Sequence, residues 1–196
     1  MLDRKSKICV LISGGGTNLQ ALLDAEKRGD IKSGEITLVA SDNPSAYGLV
    51  RADKYLKETC MIDGEEEFIQ KLKAKDIDMI VLAGFLKILS PKIIKLYENR
   101  IINVHPSLIP SFCGKGCYGL HVHEKALEYG VKITGATVHY VNEITDGGKI
   151  ISQKAVEVLP DDTPKTLQRR VMEEAEWILL PKATEDLAYR IKKGLN

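Results

Sequence analysis

An α/β architecture, a doubly wound and mostly parallel sheet with an antiparallel edge in its C-terminal part, is the fold class predicted by this 196-residue sequence. Three observations predict it. Short continuous apolar runs, which suit strands buried on both faces, alternate with segments of helical periodicity. The first such run leads into a glycine cluster and then a helix, the order of a strand–turn–helix unit. Beyond residue 110 the texture changes to a Pro- and Gly-rich loop and two β-type runs joined by a tight turn.

The elements follow in order. Lys7–Ser13 is a buried-type strand ended by glycines. Thr17–Arg28 carries Leu19, Leu22 and Leu23 at helical spacing, with Thr17 or a neighbour as cap and Gly29 as its close. A second strand, Glu35–Ala40, stops at Ser41-Asp42-Asn43-Pro44, and a helix through Tyr47, Val50, Ala52 and Leu56 follows. Glu65–Lys75 reads as another helix, Asp78–Ala83 as a third strand, and Ile101–Val104 as a fourth. Between the last two, Pro91 opens a helix at the first-turn position, where its missing N–H costs nothing. After a helix near His123–Tyr129, the runs Thr134–Val141 and Lys149–Val158 flank Asp146-Gly147-Gly148 and read as an antiparallel pair. Pro164–Lys193 places Leu167, Val171, Ala175, Ile178 and Leu179 on one stripe, which predicts a long amphipathic helix interrupted near Pro181.

Hydrophobic residues make up 44% of the chain, enough for a sizeable core in one domain spanning 1–196. Lys and Arg number 28 against 27 Asp and Glu, so there is no global field to gather nucleic acid or an anionic membrane. Any anion must be held locally. The apolar stretch Ile8–Ile12 is too short for a signal segment or a membrane span, and a cytoplasmic protein is expected. Four scattered cysteines do not resemble a disulfide framework. Cys113, Cys117, His121 and His123 lie within eleven residues, but their spacing in a Gly-rich turn is poor for zinc, and no metal is expected.

Ser13-Gly14-Gly15-Gly16-Thr17-Asn18 lies where a strand feeds a helix, so unpaired N–H groups and the positive end of the helix dipole converge there. It is read either as a phosphate seat or as a tight turn chosen for its backbone angles. It has no lysine of the Walker pattern and fails G-x-G-x-x-G at Leu19. Asp42 could serve as a ribose-binding acid, or could shape an Asx-turn before Pro44. Asn103 and His105 straddle Val104 at a strand end, so period-two geometry turns both to one face, where open α/β sheets bind ligands. An amide beside an imidazole can cradle an oxyanion; the pair could equally be a polar strand end turning into Pro106. Asp146 has an ordinary turn explanation, and pattern alone does not join it to His105.

Asn103-Val-His-Pro-Ser-Leu-Ile-Pro110, followed by Gly135-Ala-Thr-Val-His-Tyr-Val-Asn-Glu-Ile-Thr-Asp-Gly-Gly148, resembles the signature of the folate-dependent formyltransferases. The resemblance covers nearly the whole chain and implies a Rossmann-like formyltransferase fold. In that reading 1–110 is the phosphate-binding half, and 111–196 carries folate binding and the C-terminal helix. It implies 10-formyltetrahydrofolate as donor co-substrate and the amine of a phosphoribosylated glycinamide as acceptor, in purine synthesis. Only small-molecule partners are implied, with the chain a monomer or homodimer. By motif, Asn103, His105 and Asp146 become a catalytic trio in which Asp146 keeps His105 charged and oriented. Gly15, Gly16, Thr17 and Asn18 match the phosphate-holding segment. Leu86, Lys87, Ile88 and Leu89, with Asn103, Asn142, Glu143, Ile144, Thr145 and Asp146, match the folate-lining segments.

The chain departs from the family pattern in three places. An Arg expected to meet the folate tail is replaced at Gly64-Glu65. The Glu-His pair of the last helix reads Glu176-Trp177, one residue farther from Val171 than the pattern has it. Glu176 is the expected acceptor contact, with Glu173 and Glu174 as rivals. The loop from Ser111 to Tyr118 is long and is expected to be a mobile flap.

Overall fold

A computed structural model describes residues 1–195. Seven strands form one sheet: β1 (Ser6–Ile12), β2 (Gly34–Ser41), β3 (Glu58–Met61), β4 (Met79–Leu82), β5 (Ile101–His105), β6 (Ile133–Tyr140) and β7 (Ile150–Glu157), in the order β3-β2-β1-β4-β5-β6-β7. The first five pair in parallel, and β6 and β7 add antiparallel edges. The predicted fold class stands. β1 is central, and successive strands run outward on either side of it. The order therefore reverses beside β1, the position where open α/β sheets form a ligand crevice.

The helices are α1 (Thr17–Arg28), α2 (Tyr47–Lys54), α3 (Glu65–Ala74), α4 (Pro91–Leu96), α5 (Leu120–Tyr129), α6 (Pro164–Val171) and α7 (Trp177–Lys193). They bury both faces of the sheet, which explains why β1 is apolar without a break from Ile8 to Ile12. Ile8, Val10 and Ile12 pack with Leu19, Leu22 and Leu23 of α1 and Leu180 and Leu187 of α7. Cys9 and Leu11 point the other way, onto Phe68, Ile69 and Leu72 of α3 and Ile93 and Ile94 of α4. Alternation in direction without alternation in polarity is the mark of a doubly covered strand.

Four expectations are corrected. β3 is a strand that periodicity missed, because its four residues, Glu-Thr-Cys-Met, are half-exposed at the sheet edge. The cap of α1 is Gly16, at φ 70°, and no side chain caps this helix; Thr17 is its first residue. The Asx-turn before the second helix belongs to Asn43, whose Oδ1 accepts from the N–H of Ser45 at 3.0 Å, whereas Asp42 accepts from the Ser13 hydroxyl at 2.7 Å. The C-terminal helix is interrupted at a π-helical turn, Met172–Glu176, and not at Pro181, which is buried inside α7. One residue more than the α-helical repeat needs is absorbed in that wide turn. Among the described residues no helix is long and apolar enough to cross a membrane.

Candidate active site

The ends of β1, β4 and β5 and the segments that follow them enclose a cleft of about 830 Å³. One wall is the glycine turn after β1. Its carbonyls are held from behind by the segment after β2 and by α2 itself. Ser13 O accepts from Asn43 Nδ2 at 3.1 Å, Gly14 O from the N–H of Gly48 at 3.0 Å, and Gly15 O from Arg51 Nε at 2.8 Å. With no side chain at the cap, the first-turn N–H groups of α1 are left to a ligand or to water.

The three glycines differ in what requires them. Gly16 sits at φ +70°, and a Cβ there would meet Gly48 Cα at 2.6 Å, so both conformation and packing demand glycine. Gly14 and Gly15 lie outside the left-handed region, and a Cβ on either would meet no atom within 4 Å. The turn reading thus accounts for Gly16 alone. At Gly14 and Gly15 the protein itself would tolerate a side chain, which points to a ligand that approaches the backbone.

β5 and β6 pair so that Asn103 lies opposite His139 and His105 opposite Thr137, which puts these polar side chains together. Asn103 Nδ2 and His139 Nε2 are 3.1 Å apart, and His139 Nδ1 lies 2.8 Å from the Tyr140 carbonyl. A carbonyl can only accept, so Nδ1 carries the proton and Nε2 accepts from Asn103. Burial lowers the basicity of His139, consistent with this neutral form. His105 Nε2 donates to Phe112 O at 2.9 Å, leaving Nδ1 toward the cleft, 3.6 Å from Asp146 Oδ2. Asp146 holds its backbone at φ 55°; Oδ2 accepts from the N–H of Gly114 at 2.8 Å, and Oδ1 lies 3.7 Å from His139 Nε2. The structure therefore brings Asn103, His105 and Asp146 together and adds His139, which motif reading quoted but did not single out. Its signal was alternation with Thr137 along β6, recognisable only once β6 is paired with β5.

Leu86–Leu89 after β4 and Asn142–Asp146 after β6 both line the cleft. Leu86, Ile88 and Ile144 are 60%, 80% and 69% exposed, large apolar side chains around a concave opening, whereas Leu89 is buried. Ser13 Oγ accepts from the N–H of Leu86 at 2.9 Å, which ties this segment to the glycine turn.

Of the three rival glutamates, only Glu176 lines the cleft; Glu174 is exposed and Glu173 pairs with Arg169 at 2.8 Å. Glu176 is buried at the end of the π-helical turn and accepts from Asn18 Nδ2 at 2.6 Å. Burial pushes its carboxyl up to about 7, and the Asn18 bond pulls the other way without compensating. Gln168 of α6 also lines the cleft, a residue the sequence reading did not select.

The Cys/His group in the loop does not converge. Cys113 Sγ reaches Pro110 O and Cys117 Sγ reaches Lys125 Nζ, while His121 pairs with Glu124 on the surface. His123 is fully buried beside the cleft, and neither ring nitrogen has a partner among the described residues. Burial, and secondarily the neighbouring His105, lowers its pKa to about 4. The segment expected to form a flap is tied to the trio through Phe112 O and the Gly114 N–H.

Comparison with known proteins identifies the family. The family described as Formyl transferase matches residues 6–184. The phosphoribosylglycinamide formyltransferase of Haemophilus influenzae is 40% identical over 180 residues, 86% of this chain and 81% of that protein. The trifunctional purine biosynthetic protein adenosine-3 of Drosophila melanogaster is 39% identical over 187 residues; the match covers 89% of this chain but only 13% of that much longer protein. The crystal structure of glycinamide ribonucleotide transformylase 1 from Symbiobacterium toebii superposes with a TM-score of 0.87 at 38% identity, covering 96% of this chain and 90% of that one.

Proposed function

Because the chain belongs to the formyl transferase family, we propose that it moves the formyl group of 10-formyltetrahydrofolate onto the amine of 5'-phosphoribosylglycinamide, a step of purine biosynthesis. The observation that carries the acceptor half is the pair Gly14 and Gly15, glycines that nothing in the protein requires, beside the uncapped N-terminus of α1. A phosphate needs close approach to backbone N–H groups at such a terminus. In this reading Gly15, Gly16, Thr17 and Asn18 seat the phosphate, and Glu176 meets the acceptor farther along the same wall. Leu86, Lys87, Ile88 and Leu89 would line the folate rings together with Asn142, Glu143, Ile144 and Thr145.

The trio supplies the chemistry. As the acceptor nitrogen bonds to the formyl carbon, negative charge grows on the formyl oxygen. Asn103, with one amide hydrogen spent on His139, keeps the other for that oxygen. His105 has Nε2 spent on Phe112 O, so a proton on Nδ1 is the one it can offer. Asp146 Oδ2 lies 3.6 Å from that nitrogen, close enough to orient the ring. It can also accept the proton shed by the acceptor nitrogen and return it, through water, to the folate nitrogen as its bond to carbon breaks. No step of this scheme is assigned to a metal.

Acceptor dependence tests the proposal. Purified protein given 10-formyltetrahydrofolate should consume it only when the glycinamide ribonucleotide is present, with one formylated product per donor used. Equal consumption without the acceptor, with release of formate, would make the protein a hydrolase instead.

A further inference from the structure

We infer that Arg51, which lies outside the cleft, is a positioning residue for the acceptor's phosphate. The inference rests on the phosphate reading of the glycine turn and assigns the device that shapes it. A turn can offer its N–H groups to an anion only if its carbonyls are turned away and satisfied elsewhere. Here three successive carbonyls are bonded behind the turn by Asn43, Gly48 and Arg51. Arg51 bonds Gly15, the last carbonyl before the cap of α1. It is the only charged donor of the three.

The guanidinium is itself held in place. Nη1 donates to Gln20 Oε1 at 3.0 Å, on the second turn of α1, so one planar group bridges the turn and the helix that follows it. The Tyr47 ring lies 5.1 Å from its centre as a cation–π platform. Of the cations that line the cleft, Lys87 is drawn toward Asp42, at 3.7 Å, and Lys115 stands on the far loop. Arg51 therefore supplies a fixed positive charge directly behind the peptide whose N–H groups would face the phosphate. Its bond also polarises the Gly15–Gly16 peptide, which strengthens the N–H on the other side.

The test compares wild type, Arg51→Gln and Arg51→Lys with three readouts: Michaelis constants for each substrate, kcat, and inhibition by inorganic phosphate against the acceptor. For R51Q the acceptor's KM and the phosphate inhibition constant should rise together by about tenfold, which is about 1.4 kcal/mol of binding. The donor's KM and kcat should stay within about twofold. R51K, which keeps the charge but cannot bridge two acceptors in one plane, should recover part of the loss. An unchanged phosphate constant in R51Q would overturn the inference, and so would a uniform fall in all parameters together with a lowered melting temperature, the mark of a merely structural role. Should R51Q not fold, R51K decides alone: a raised phosphate constant at unchanged kcat supports the inference and an unaltered one refutes it. Wild type that ignores the acceptor would count against the proposed function, and calorimetric titration of wild type and R51Q with inorganic phosphate would still decide the role of Arg51.

Discussion

Replacing Glu176 by Gln should change how stability depends on pH, with a sign that follows from its burial. Glu176 is buried, accepts one bond from a neutral amide, and has its carboxyl raised from an ordinary 4.5 to about 7. The folded state thus holds a proton that the unfolded chain releases at lower pH. Its contribution is fully present below about pH 4.5, declines between 4.5 and 7, and is gone above that range. A rise of this extent corresponds to roughly 3 kcal/mol. Gln keeps the shape, can still accept from Asn18 Nδ2, and has nothing to titrate. E176Q should match wild type near pH 4.5 and exceed it by roughly 3 kcal/mol at pH 8, about 6–12 °C in melting temperature for a chain of this size. Urea denaturation of both proteins at several pH values between 4.5 and 8 is the assay, with the difference between them as readout. Parallel curves would show that the carboxyl is hydrated or paired, and the argument from burial would fail.

Gly15→Val should leave folding stability within about 0.5 kcal/mol, since its Cβ meets nothing, yet raise the acceptor's KM far more than the donor's. Gly16→Ala should instead cost more than about 1 kcal/mol, from the left-handed backbone and the approach to Gly48, as read by thermal melting. His105→Ala and Asp146→Asn should each lower kcat by about a hundredfold or more in the acceptor-dependent assay; wild-type turnover in either would remove it from the chemistry. Asn tolerates the φ of 55° at position 146, so that variant isolates charge from backbone strain. His123 has the opposite sign to Glu176: with its pKa lowered to about 4, its burial as a neutral ring costs stability as pH falls from about 6.5. His123→Met should therefore flatten the acid side of the stability profile, and a profile unchanged between pH 5 and 7 would speak against a neutral buried ring.

The fold was legible because burial on both faces leaves a plain mark in sequence: β4 is apolar end to end, β1 from Ile8 to Ile12 and β2 from Leu38 to Ala40. Edge strand β3 carries no such mark, since only a central strand must be apolar throughout. Asn103 and His105 could be paired from their spacing alone. Asp146 needed the resemblance, because the 40 positions between it and His105 are closed by sheet pairing and loop geometry that no local pattern encodes. His139 and Arg51 show the remaining limit. Each looks ordinary where it stands, and each gains its meaning from a partner on another element: Asn103 for one, the Gly15 carbonyl for the other.

The π-helical turn at Met172–Glu176 has a consequence for the whole C-terminal rod. An α-helix advances 100° per residue, so one surplus residue shifts the phase of everything after it relative to everything before. α6 packs on α5, whereas α7 packs on α1 and the strands. A single uninterrupted helix, with one apolar stripe in constant phase, would suit one of these surfaces and misalign on the other. The extra residue acts as a rotary joint locked in place: it lets one rod serve two differently oriented beds, and it turns the first and last residues of the joint, Met172 and Glu176, into the cleft.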